Sequence, residues 1–110
     1  LCSGKVYWEL AERRDTLARQ DIAVVRVEQF YPLNAAMLRG VLDKYPKGAR
    51  RVWVQEEPRN MGAYLFVRDL VHDELGIDLA YIGRPPSASP AVGSKHKHKE
   101  EQEAIRTAAV

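Results

Sequence analysis

Cysteine is almost missing from these 110 residues: Cys2 is the single one. That excludes an internal disulfide and a cysteine-based metal cluster, and it fits a reducing compartment. Long apolar runs are missing too. No stretch approaches the ~20 residues of a membrane-spanning helix, and no secretory leader pattern opens the chain. Excess charge of one sign is also absent, since 17 Lys and Arg face 15 Asp and Glu for a formal +2. Such a balance does not by itself point to nucleic acid or a membrane surface. There is no internal repeat and no low-complexity segment. What is present, 45% hydrophobic and 29% charged residues, is the composition of one small globular domain. The opening Leu1-Cys2-Ser3-Gly4, without a methionine, reads as the last residues of a strand. The expectation is therefore one piece of a larger chain, its first strand cut at the N-terminus.

Periodicity supplies the elements. Val6, Tyr7, Leu10, Ala11, Leu17 and Ala18 recur at helical spacing from about Lys5 to Gln20, with Glu9 and Arg13 as a solvent-side pair four residues apart. Ile22 to Val27 is a nearly continuous β-branched run, the pattern of a strand covered on both faces. Asn34 is a fitting cap for a helix with Leu38, Val41, Leu42 and Tyr45 inward, ended by Pro46 and Gly48. Arg51 to Gln55 makes a second strand, closed by Glu56-Glu57-Pro58. A third helix runs from near Gly62 to Leu75 with Phe66, Val67, Leu70 and Val71 inward, capped by Gly76. Leu79 to Ile82 is a third strand, residues 84–94 a loop, and His98 to Val110 a last helix with Ile105 and Ala109 inward. Strand and helix alternate, which predicts an α/β domain with a mainly parallel sheet flanked by helices.

In such sheets ligands and partners meet the carboxyl ends of the strands. Those ends carry Cys2-Ser3-Gly4-Lys5, Glu28-Gln29-Phe30, Gln55 to Gly62 and the stretch from Gly83 onward. Glu56 and Glu57 could do acid/base work, but sequence neighbours point apart. A polar turn whose amides face a partner subunit or an anion is the alternative. The Gly83–Ser94 stretch lacks the glycine spacing of a phosphate loop. Its prolines and small residues fit a loop packed on another domain. His96 and His98 could share a metal only on an extended backbone, and on a helix they diverge. A solvated basic helix start, or a basic site for phosphates, are the other readings of Lys95 to Lys99. Trp8, Trp53, Tyr64 and Phe66 read as core or interface residues. No catalytic set is read from these residues.

Taken in order, LCSGKVYW (1–8), IAVVRVEQFYP (22–32), VWVQEEPRNMG (52–62), GRPPSASPAVGS (83–94) and His98 with Glu101-Gln102 resemble the end of the 2-oxoglutarate dehydrogenase decarboxylating component. The resemblance covers essentially the whole chain. It implies a transketolase C-terminal-domain-like fold over residues 1–110, at the end of a long homodimeric chain. The family's enzymes decarboxylate 2-oxoglutarate on thiamine diphosphate held with magnesium. They then pass the succinyl group to the lipoyl arm of dihydrolipoyl succinyltransferase, a step of the tricarboxylic acid cycle. The cofactor is held by other domains, which implies no catalytic, cofactor or metal residue here and an isolated domain without activity. The implied partners are the other domains and a second copy of the chain, with no nucleic acid and no membrane. The implied location is the bacterial cytoplasm, or the mitochondrial matrix of a eukaryote.

Glu56, Glu57, Arg59, Asn60, Arg84, Ser87, Ser89 and His98 are the interface candidates. Gln29 matches one position of a site where some relatives bind an acyl-CoA or adenine nucleotide effector. Those relatives carry arginines shortly after the proline, where this chain has Asn34-Ala35-Ala36-Met37. Asn60-Met61-Gly62 and Gly83-Arg84-Pro85-Pro86 also look like the related 2-oxoadipate enzyme. A free-standing α/β module binding an anion or RNA at its strand ends and basic tail is the reading from another class.

Overall fold

The computed structural model describes residues 1–89 and 93–110. Pro90-Ala91-Val92, part of the expected loop, lies outside the described residues. The elements run α1 (Val6–Thr16), α2 (Ala35–Leu42), β1 (Val52–Pro58), α3 (Tyr64–Leu75), β2 (Ala80–Arg84) and α4 (Lys95–Ala109). β1 and β2 pair in parallel, with Val52 opposite Ala80 and Val54 opposite Ile82. The chain is thus α/β with a parallel sheet flanked by helices, as its alternating pattern predicts.

Two further segments extend the sheet. Leu1-Cys2 lies beside β1, with the Leu1 amino group donating to the Val52 carbonyl at 2.6 Å and Val54 N–H to the Leu1 carbonyl at 2.8 Å. On its other side Cys2 N–H donates to Val25 O (2.9 Å) and Val27 N–H to Cys2 O (2.8 Å). The expected strand over Ile22–Val27 is therefore extended chain with a single parallel bridge, Cys2 to Arg26.

Alternation along these strands divides the core in two. Leu1, Val25, Val27, Trp53 and Tyr81 belong to a cluster with Leu38, Leu42, Val67, Val71 and Leu75 of α2 and α3. Cys2, Ile22, Val24, Val52, Val54 and Ile82 belong to a second with Val6, Leu10 and Ile105 of α1 and α4. Both faces are covered, which is why the strands are apolar at both parities.

The helix ends correct several expectations. α1 stops at Thr16, because Ala18 turns to a left-handed φ of 52°; Leu17 is consequently 48% exposed rather than buried. Glu9 and Arg13 do not pair with each other but with residues beyond α1. Tyr45 lies past the end of α2 and Phe66 on the outer side of α3, both exposed rather than inward. Strand β1 runs on through Glu56-Glu57-Pro58, since Pro58 still meets Arg84 across an irregular register. β2 likewise extends to Arg84. α4 begins at Lys95, three residues before the expected start, because the Ser94 side chain accepts from Lys97 N–H and caps it.

Candidate functional site

The carboxyl ends of the strands are organised around Gln55, a buried polar side chain. Its Oε1 accepts from the Trp53 indole (3.0 Å) and from Tyr64 N–H (2.9 Å). Its Nε2 donates to the carbonyls of Glu57, Pro58 and Met61. The amide thus caps α3, whose own N-cap residue Ala63 makes no side-chain bond, and holds the turn after β1 closed. Gly62 in that turn has φ +65°, and a Cβ there would stand 3.1 Å from the Gln55 side chain. At Gly83 of β2 a Cβ would lie 2.8 Å from Gln55 O and 2.4 Å from the Tyr81 hydroxyl. That hydroxyl donates to Arg84 O at 2.7 Å.

The interface candidates fall into three groups. Asn60 and Ser87 are joined: Asn60 Nδ2 donates to Ser87 O (3.0 Å) and Ser87 N–H to Asn60 Oδ1 (2.9 Å), clasping the two loops. Ser89 N–H donates to Ser87 Oγ. Arg59 lies over the rings of Tyr64 and Tyr81, at 5.3 and 5.9 Å. Glu56 belongs to a second group, tied to Lys5 at 3.1 Å and to Gln102 at 2.7 Å. The same lysine and amide hold Glu9. Arg84 reaches Glu56 O at 3.0 Å and Glu101 at 3.4 Å. Glu57 and His98 form the third group, exposed side chains that neither network takes in. Gln29 stands apart as well, its Nε2 donating to Pro32 O at 2.9 Å across the turn that contains the cis Tyr31-Pro32 bond.

Electrostatics at this end favours charge held in place. Burial alone would raise the Glu9 carboxyl, but hydrogen bonds from Gln102 and Lys5 outweigh it and hold the group below its ordinary value. Lys5 is pushed up in turn, first by its bond to Glu9 and then by that to Glu56. A general acid near neutrality needs the opposite shift. His96 and His98 sit on helical backbone and diverge, and His96 pairs with Glu100 one turn on. Among the described residues no group of three His, Cys, Asp or Glu could hold a metal ion. Among the same residues no helix is long and apolar enough to cross a membrane.

Residue reasoning alone passed over Tyr81 and Gln102, and it singled out Glu28 only within the strand-end segment Glu28-Gln29-Phe30. Glu28 accepts from Gly4 N–H (2.9 Å) and Ser3 Oγ (3.2 Å), closing the turn into α1, and also takes Arg26 Nε at 2.5 Å. The partners of Glu28 and Gln102 are too distant in sequence for any local spacing to reveal. Beside the Gln55 hub lies a concavity of about 420 Å³ lined by Ser3, Phe30, Trp53, Gln55, Gly62 and Phe66. Tyr31 stands next to it, 80% exposed, its ring 6.5 Å from that of Phe66, itself 47% exposed.

The parallel α/β sheet thus has a carboxyl edge locked by its own side chains and rimmed by exposed aromatics. The chain belongs to the 2-oxoglutarate dehydrogenase C-terminal family, whose model matches residues 1–110. It is 45% identical over 111 residues to the 2-oxoglutarate dehydrogenase E1 component of Cupriavidus necator, covering 99% of this chain and 12% of that protein. The 2-oxoglutarate dehydrogenase E1 component of Rickettsia typhi is 40% identical over 110 residues, covering 96% of this chain and 12% of that protein. The 2-oxoadipate dehydrogenase complex component E1 of Xenopus laevis is 39% identical over 107 residues, covering 96% and 12%. The chain therefore spans about an eighth of the length of these relatives.

Proposed function

We propose that this chain is the C-terminal framework and dimerisation domain of a thiamine-diphosphate-dependent 2-oxoglutarate dehydrogenase E1 component. The parent would decarboxylate 2-oxoglutarate and hand the succinyl group to a lipoyl-bearing succinyltransferase. The observation that carries the reading is the aromatic face of Tyr31 and Phe66 beside the Phe30–Trp53 concavity. Large apolar side chains exposed together mark a surface that another protein surface covers. At the strand ends the cations Arg26 and Lys5 are already held by Glu28 and Glu56, which supports a diphosphate site elsewhere. The cofactor and its magnesium are accordingly assigned to other domains of the parent, and this domain to holding those domains and a second copy in place.

The test uses the parent chain with Tyr31→Asp and Phe66→Lys together. Sedimentation should show a dimer converted toward monomer, with loss of 2-oxoglutarate turnover measured with an artificial electron acceptor. The isolated 110 residues with the same changes should keep their helical circular dichroism and show no turnover. A fully dimeric, active double variant, or turnover by the isolated domain, would remove the proposal.

A further inference from the structure

Among the described residues three arginines lie against aromatic rings: Arg26 over Tyr7 and Trp8, Arg68 over Tyr64, and Arg59 over Tyr64 and Tyr81. Two of them are answered by acids, Arg26 by Glu28 and Arg68 by Asp69. Arg59 is not. Among the described residues its guanidinium has neither a hydrogen-bond acceptor nor an ion-pair partner, although the residue is half-buried. A charge taken partly out of water is normally paired. The side chain is nevertheless fixed in place. Its backbone N–H donates to Arg84 O at 3.1 Å, the carbonyl that also takes the Tyr81 hydroxyl. The Tyr64 hydroxyl donates to Leu79 O at 3.0 Å, and the two ring centroids stand 4.7 Å apart. Both rings under the guanidinium are thus pinned to backbone carbonyls. A guanidinium seated on ring faces keeps its in-plane N–H groups directed outward.

We infer that Arg59 is a preformed receptor for one carboxylate, carried by an Asp or Glu side chain of the protein surface that covers this edge of the sheet. The inference rests on the reading of that edge as an interface. A carboxylate meets the fork of a guanidinium with two parallel hydrogen bonds and cancels its single charge. A phosphate group fits less well, because it needs several donors and those beside Arg59 are spent. The Asn60 amide and Ser87 N–H bond to each other's residue, and Met61 N–H is held by Pro58 O. Glu57, two residues back with an exposed side chain, opposes a dianion more than a monoanion. Because the rings already hold the side chain, little rotamer freedom is lost when the carboxylate arrives.

The experiment makes Arg59→Lys in the parent chain and treats the assembled protein with a water-soluble carbodiimide, which joins an amine to a carboxylate that touches it. Arg50→Lys, exposed before the amino end of β1, is the control. Peptide mass spectrometry should find position 59 joined to one Asp or Glu beyond residues 1–110 or in a second copy. That link should be about tenfold or more as abundant as any such link from position 50. A covalent dimer that appears only with Arg59→Lys assigns the carboxylate to the second copy, and a link within one chain assigns it to a neighbouring domain. Coupling only to Glu57 or another carboxylate of residues 1–110 in the same chain, or no coupling, would overturn the inference. So would inorganic phosphate that slows phenylglyoxal modification of Arg59 in the unaltered parent while no link forms, the mark of a free-anion site. Loss of the dimer on changing Tyr31 and Phe66, with no link at position 59, removes this inference alone and leaves the framework reading standing.

Discussion

Gln55 places a neutral amide where an aliphatic residue would fill the space, and the Trp53 indole, the Tyr64 amide and the Met61 carbonyl all bond to it. Replacing it by leucine strands the Trp53 indole, the Tyr64 amide and the Met61 carbonyl, while Pro58 O and Glu57 O keep Met61 N–H and the Tyr81 hydroxyl. Unpaired buried groups cost far more than a hydrogen bond gains, so Gln55→Leu should lose about 3 kcal/mol in urea unfolding. Glu57→Gln, two residues on with an exposed side chain, should stay within about 0.5 kcal/mol. Glu9 gives a different readout. Its carboxyl is held below its ordinary value, so its contribution is complete above pH 4.5 and drains as pH falls through the lowered pKa. Lys5, held high, runs the other way and loses its share only as pH rises through its raised value. That share is small because the side chain is 65% exposed. Glu9→Gln should therefore flatten the fall of the thermal midpoint as pH drops below about 4.5. An unchanged slope would mean that the cluster leaves no mark on stability.

Among the elements, α2 depends most on its ends. It has 8 residues, and its first turn is held by Asn34 Oδ1 accepting from Met37 N–H at 3.0 Å. Asn34→Ala should cost about 1 kcal/mol by urea unfolding. This cap was legible in the sequence because an Asn stood before an apolar stripe, and Gly76 at the end of α3 was legible for the matching reason. The Ser94 cap was not. The residues after it are Lys95, His96 and Lys97, with no acidic residue in the first turn to announce a helix start. Apolar strands were legible too, because both their faces are buried. Which of them find a full-length neighbour is a tertiary matter, and among the described residues 22–27 bridge at Cys2 alone. Phe66 was placed inward because periodicity gives a stripe without its edges. On α3 the buried residues are Tyr64, Val67, Val71 and Leu75, and Phe66 lies off that line. Of the candidate site, the motif strings were visible, but the hub that joins VWVQEEPRNMG to GRPPS came only with the pairing of β1 and β2.

Across the whole molecule the sheet separates two cores, and α4 seals the second by lying on α1, β1 and β2. Ile105 is its buried anchor, 4% exposed among Val6, Leu10 and Val54. Ile105→Ala should cost about 3 kcal/mol and raise binding of an apolar dye before global unfolding. A stability unchanged within about 0.5 kcal/mol would mean that α4 is only loosely seated. Polar ties across the same seam, Arg13 to Glu103 at 3.1 Å and Gln102 to Glu9 at 2.9 Å, join residues some 90 positions apart. A ribosome makes α1 first and α4 last. Through nearly all of this domain's synthesis, Val6 and Leu10 have no lid to close over them. The α2/α3 half can assemble on the emerging chain, whereas the α1 half must wait. A stalled or shortened translation product would then present one finished core and one bare apolar face, the form of nascent chain that chaperones bind and proteases remove.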